Sequence, residues 1–390
     1  MTFRTKAAAA ILAAATAGPV WAQAVTDDQI NIGLVTDLSG PIALYGSESR
    51  NGMTTAVEEI NAAGGIHGRK LNLLVEDHGY DPKKAVLGSQ KLITRDGVFA
   101  IIGHLGTATN MAALPLLVES EVFNFMPQGA SPGLYNPPSP FKVALAPSYF
   151  DMATATLQWA YDELSPSALC ILYQDDDYGR ESLAGVEAYA KAKGVELVEK
   201  TSYKRGATDF SSQMQRLSAA GCDLVYNAST LREFVGSVTE ARKIGFNPTF
   251  LGTPANYAIQ APGLGGEAME GVYSSTFIPI PYTNSEDPTV AEWAQEYKAT
   301  YGEDPGLYSM YGYYSVKTFA AVAEAAGVNL TAESFAAAAN ATDLPPDAFG
   351  NPAFDVSEDN RLSNRQVRVT QINDGKWVTV SELLSPLDIE

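Results

Sequence analysis

Histidine, cysteine and basic residues are scarce in this 390-residue chain, and each shortage removes a class of function. Only His67, His78 and His104 occur, and no two stand at the helical spacing that binds a metal through paired imidazoles. Lys and Arg total 26 against 45 Asp and Glu, a formal charge of -19 with no basic cluster. Duplex nucleic acid and anionic membrane surfaces are therefore poor partners, because both are held mainly by clustered cations. Long apolar runs are missing too. The uncharged apolar run over residues 7–17 falls short of the roughly 20 residues that span a bilayer.

That run reads instead as part of an export leader. Arg4 and Lys6 precede it, and Ala22-Gln23-Ala24 supplies a small-x-small site, so cleavage after Ala24 is expected. Loss of Arg4 and Lys6 would take the chain from -19 to -21. A soluble protein outside the cytoplasm follows. Export permits a disulfide. Cys170 and Cys222 each fall in or beside an apparent strand, and two buried thiols are favoured over one bridge.

What remains is an ordinary globular composition, 46% apolar and 18% charged, with length for two or three domains. Apolar runs alternate with helical periodicity, the pattern of strand-helix-strand units in a parallel sheet. Strands are expected over 30–35, 71–76, 99–103 and 122–125, with helices over 47–61, 82–95 and 109–118. The pattern restarts with helices over 148–163, 178–193, 210–220 and 232–244 and strands over 168–173, 195–203, 224–227 and 249–251. Two doubly wound α/β lobes are implied. Further on, 272–277 is strand-like, 290–301 and 310–325 are helical, and 367–372 with 377–380 forms a hairpin. Ligands of such sheets bind at the carboxyl ends of the strands.

Catalytic motifs fail on inspection. Gly129-Ala130-Ser131-Pro132-Gly133 has the spacing of a nucleophile elbow, but Pro132 lacks the N–H that an oxyanion hole requires. Gly263 to Ala268 resembles a dinucleotide fingerprint but follows a loop with Pro254 and Pro262, and a plain loop is the better reading. His78 with Asp77 and Asp81 reads as a solvated strand end, and Asp175-Asp176-Asp177 as a solvated acidic turn without the Gly and distal Glu of a calcium loop.

An ordered series of short motifs is more telling. Ile32-Gly33-Leu34-Val35, Leu38-Ser39-Gly40-Pro41, Tyr45-Gly46, Glu59 to Ile66 with Gly68, Asp81-Pro82 and Gly103-His104-Leu105 follow one another, then Asp177-Tyr178-Gly179, Asp209-Phe210 and Ala241-Arg242-Lys243 with Gly245. The series closely resembles the periplasmic leucine/isoleucine/valine-binding protein family, the type I solute-binding components of ABC importers. That resemblance implies two doubly wound parallel-sheet lobes joined by a three-crossover hinge, with residues 28–147 and 278–348 in the first lobe and 148–277 and 349–390 in the second. It also implies a monomer that closes on a small ligand, uses no cofactor or metal, catalyses nothing, and delivers its cargo to an inner-membrane permease.

Carried over by position, the resemblance gives a candidate ligand lining of Tyr45, Thr107, Gln128, Ala130, Tyr178, Thr230 and Tyr308. Thr107 holds the ligand carboxylate in this scheme, with its hydroxyl and the amides of a helix start. Three departures bear on the ligand. Ala130 stands where amino-acid binders have Thr, Thr230 where they have Tyr, and Pro254 where they have the acid that pairs with the ligand ammonium. A buried ammonium without a counter-charge is costly. A carboxylate with an apolar or aromatic body is thus expected over leucine, with Glu233 a candidate substitute acid. The rival readings are an exported hydrolase and a ligand sensor for a membrane receptor.

Overall fold

The computed structural model describes residues 24–389, so the leader expectation over 1–23 lies outside the described residues. The first layer is a five-stranded parallel sheet ordered β2-β1-β3-β4-β5, built from β1 (Gln29–Thr36), β2 (Lys70–Asp77), β3 (Ala100–Ile102), β4 (Phe123–Phe125) and β5 (Lys142–Val143). β1 is flanked on both sides and covered on both faces. Seven of its eight residues are buried, which is why its sequence runs apolar without alternation. Between these strands lie α1 (Ala43–Ala62), α2 (Pro82–Lys91) and α3 (Thr107–Glu119). Asp81 caps α2 by accepting the N–H groups of Lys83 and Lys84, with Pro82 at the first helical position. The helix expected to continue to residue 95 widens into a π turn over Leu92–Asp96 and stops at Gly97, whose φ is 61°.

Five parallel strands form the body of the second layer: β6 (Leu169–Gln174), β7 (Leu197–Tyr203), β8 (Leu224–Ala228), β9 (Thr249–Gly252) and β10 (Tyr273–Thr276). They alternate with α4 (Tyr149–Leu164), α5 (Asp177–Lys193), α6 (Ser211–Ala219), α7 (Leu231–Lys243) and the short α8 (Ala261–Gly265). The chain then returns to the first layer as α9 (Pro288–Tyr301), α10 (Leu307–Ala325) and α11 (Ala332–Ala341). A two-stranded piece of β11 (Asp343–Leu344) and β12 (Phe354–Asp355) leads back to the second layer as the hairpin of β13 (Arg368–Asn373) and β14 (Lys376–Thr379). β13 pairs antiparallel with β10, giving the order β14-β13-β10-β9-β8-β6-β7. Asp374 and Gly375 join the hairpin with φ of 51° and 73°, the two positive values a two-residue turn demands.

Packing explains the late helices. α10 lies along α1 so closely that a Cβ on Gly52 would meet the Ser309 carbonyl oxygen at 1.9 Å, and one on Gly312 the Ser49 oxygen at 2.4 Å. On the sheet side, Phe319 and Phe335 interleave with Phe99, Phe123 and Phe125. Such a cluster gains both from apolar burial and from edge-to-face geometry.

Four expectations need correction. Cys170 in β6 and Cys222, two residues before β8, form a disulfide, with Cα atoms 5.9 Å apart. β6 and β8 are adjacent because β7 takes the edge, an order that strand positions along the sequence do not contain. His78 is fully buried, taking the Tyr80 N–H on Nδ1 and meeting the Leu105 oxygen through Nε2. Asp176 is not a solvated residue but the cap of α5 and the ion-pair partner of Arg205 at 2.7 Å. The glycine-rich stretch after Pro262 is two short helical turns rather than an irregular loop. Among the described residues no helix is long and apolar enough to cross a membrane, and no cluster of three His, Cys, Asp or Glu is arranged to hold a metal.

Candidate functional site

The carboxyl ends of both sheets face each other, and two adjoining cavities of about 20 Å³ each lie between them. Tyr45, Thr107, Gln128, Tyr178, Thr230 and Tyr308 line the first, and Gln128, Ala130 and Tyr308 line the second, so all seven positions singled out from the sequence come together. Larger hollows of about 690 and 720 Å³ exist, but they are open surface grooves lined by other residues.

Thr107 opens α3 immediately after Gly106, whose φ of 92° turns the chain out of the strand. No side chain caps this helix and no acid lies in its first turn. Thr109 and Asn110 tie the turn down by donating to the Leu105, Gly106 and His104 carbonyls. The Thr107 hydroxyl accepts the Ala130 N–H at 3.3 Å and meets the Tyr149 hydroxyl. Gln128 donates to the Ser49 hydroxyl at 2.8 Å, while its own Oε1 is buried without a partner among the described residues.

Tyrosines dominate the walls. Tyr45 and Tyr308 stack with ring centroids 4.4 Å apart, and Tyr149 meets Tyr178 edge-on at 4.6 Å. Burial pushes the hydroxyls of Tyr45, Tyr80, Tyr149, Tyr178 and Tyr308 up, so they act as neutral donors and acceptors. Tyr178 donates to the Ser229 carbonyl at 3.0 Å and meets the Thr253 hydroxyl at 2.7 Å. Tyr45 reaches across the cleft, donating to the Ala255 carbonyl at 2.5 Å and accepting the Leu231 N–H at 2.7 Å.

Tyr80, Tyr149, Leu105, Ala255, Met152, Phe277, Leu307 and Tyr311 also line the cavities and were not singled out from the sequence. Tyr80 and Tyr149 had a signal, since each stands in a segment following a strand of the first sheet. Tyr80 carries a second contact between the layers. Arg205 donates to its carbonyl at 3.0 Å and stacks 4.5 Å over its ring, and Gln174 donates to its hydroxyl at 3.2 Å. Of the departures noted above, Pro254 lines the second cavity. Glu233 is buried at 2% exposure one step behind the wall, where its carboxylate takes the Thr230 hydroxyl.

Two α/β lobes, three passages of the chain between them and an enclosed site at opposed strand ends define a hinged solute-binding protein rather than an enzyme. A family model described as periplasmic binding protein matches residues 29–376, and the chain belongs to that family. It is 28% identical over 364 residues to the Leu/Ile/Val-binding protein homolog 7 of Brucella abortus, covering 90% of this chain and 91% of the relative. Among solved structures it resembles the fatty acid ABC transporter substrate-binding protein of Thermomonospora curvata, with a TM-score of 0.84, 25% identity, and 93% and 94% of the two chains covered. LivJ of Streptococcus pneumoniae in complex with isoleucine shares the fold at a TM-score of 0.79 and 21% identity, covering 92% of this chain and all of that one.

Proposed function

We propose that the protein is the extracytoplasmic solute-binding component of an ABC importer, taking a small carboxylate with an apolar or aromatic body and handing it to an inner-membrane permease. Residues 28–147 with 278–348 would move as one lobe and 148–277 with 349–390 as the other, and closure of the hinge would form the face that the permease reads.

One observation carries the ligand reading. Residues at three helix starts line the cavity, at Thr107, Tyr178 and Thr230, and a helix start favours an anion through its free N–H groups and dipole. At Tyr178, however, the N–H groups are taken by Asp176, and at Thr230 the Leu231 N–H is taken by Tyr45. Two of them already have their own negative charge: α5 has Asp176 and Asp177, and α7 has Glu233. Only α3 has none, so a carboxylate is best placed at Thr107. Beyond it the second cavity is walled by Ala130, Ala146, Met152, Pro254, Phe277 and Leu307 with aromatic rings, a surface for apolar atoms. The Thermomonospora curvata protein is described as a fatty acid ABC transporter substrate-binding protein, and a fatty acid is of that chemical type.

A branched-chain amino acid is the second reading, favoured by the buried carboxylate of Glu233 one hydroxyl behind the wall and by the names of the Brucella relatives. Thermal shift with branched-chain amino acids, aromatic carboxylates, medium-chain fatty acids and short oxo-acids decides between them. A ligand at one hundred times its Kd adds about 2.7 kcal/mol. The leading reading expects the deaminated acids to give the largest shifts and fails if only leucine, isoleucine or valine stabilises the protein.

A further inference from the structure

Glu48 lies on α1 in the first lobe and Gln260 at the start of α8 in the second. The Gln260 amide donates to Glu48 Oε1 at 2.9 Å across the cleft, and the same amide's Oε1 is buried with no partner among the described residues. Glu48 itself is only 2% exposed, with no ion pair among the described residues. An amide offers one donor and one acceptor side by side, and a carboxylic acid offers their complement only when it carries a proton. The unpaired oxygen of Gln260 is thus what a carboxylate cannot satisfy and a carboxyl O–H can. We infer that protonated Glu48 and Gln260 form a clasp between the lobes, so that closing the cleft takes up a proton. The inference rests on the hinge reading above.

The groups facing Glu48 act in both directions: burial and Glu303 favour the protonated carboxyl and outweigh the Gln260 amide and the Tyr308 N–H, which favour the ionised one. Glu303, from the loop between α9 and α10, adds a like charge and is itself held by the Asn51 amide at 3.2 Å. Tyr45, Tyr297 and Tyr308 are neutral, and the Tyr308 N–H is the remaining donor to the carboxyl. Burial, with Glu303 adding to it, pushes the Glu48 carboxyl up to about 8 from an ordinary 4.5. On this reading, withdrawal of Gln260 admits water to the carboxyl and returns it toward its ordinary value. The sign then follows. Closure is fully favoured below the ordinary carboxylate range, loses ground as pH rises and the open form sheds its proton, and levels off above about 8. Within that window the closed-to-open ratio falls by up to about tenfold per pH unit.

Spin labels on Leu87→Cys and Leu264→Cys, exposed sites in different lobes of a protein whose described cysteines are already bridged, would report the closed fraction as interlobe distances between pH 5 and 9. The expected result is a closed population that shrinks with rising pH. Glu48→Gln, whose amide mimics the protonated acid, should stay closed at every pH, and Glu48→Ala should be equally flat but more open. A pH-independent wild type, or a Glu48→Gln protein that keeps the wild-type slope, overturns the clasp. If octanoate or phenylacetate shifts the distances while pH does not, the clasp falls and the hinge survives. If neither moves them, both fall.

Discussion

Tyr45→Phe isolates the bond that spans the cleft. The ring stacks on Tyr308 and is 2% exposed, so phenylalanine preserves the packing and removes a single oxygen. That oxygen serves two cross-lobe hydrogen bonds, to the Ala255 carbonyl and from the Leu231 N–H. Each is worth about 1 kcal/mol net, and the two groups stranded in the closed cleft recover water only when the lobes part. The closed form should lose about 2 kcal/mol relative to the open one, or roughly thirtyfold in their ratio. Small-angle scattering of the ligand-free protein reads this directly as a larger radius of gyration. The reasoning is refuted if Tyr45→Phe scatters like the wild type while circular dichroism shows both proteins equally folded.

Two further substitutions probe the site and the scaffold. Thr107→Ala should weaken binding of whichever carboxylate gives the largest thermal shift by about 1.5–3 kcal/mol in calorimetry, the worth of a hydrogen bond to a charged group; unaltered affinity would leave Thr107 as a helix-start residue alone. Replacing Cys170 and Cys222 by serine opens a link across 52 residues of chain and should cost about 2–4 kcal/mol. An unmoved urea midpoint would show that the sheet holds β6 and β8 together without the bridge.

The strands and most helices were legible because both sheets are largely parallel and buried, which turns their strands into apolar runs bounded by turn residues. β5 was not, since two residues leave no period to detect. The Ala-rich run of α11 carries little polar contrast, and its role shows only when Phe335 is seen among the phenylalanines of the first sheet. At the site, the candidate positions of both lobes came from the family resemblance rather than from a local pattern, and the fold brings them to the two cavities. The residues that close the cleft from opposite lobes, Tyr80 with Arg205 and Glu48 with Gln260, are 125 and 212 positions apart. No local pattern records such pairs. The disulfide was misjudged for a related reason, since it depends on which strand takes the edge.

Glu233 separates the two ligand readings by the sign of one measurement. Its carboxylate sits in the first turn of α7, takes the Thr230 hydroxyl and is 2% exposed. If the ligand is a simple carboxylate, this buried negative charge opposes it and masks the positive end of α7. Glu233→Gln then removes a repulsion and unmasks the helix start, which should tighten binding by about 0.3–1 kcal/mol. If the ligand carries an α-ammonium, Glu233 is the nearby counter-charge on the second lobe. Removing it leaves a buried cation unpaired, at a cost of about 3–5 kcal/mol. Glutamine keeps the shape and an acceptor for Thr230, so the fold is not at issue in either case. Calorimetry of the variant with the best acid and with leucine therefore gives opposite answers: tighter acid binding supports the carboxylate reading, and a collapse of affinity for the natural ligand rejects it in favour of an amino acid.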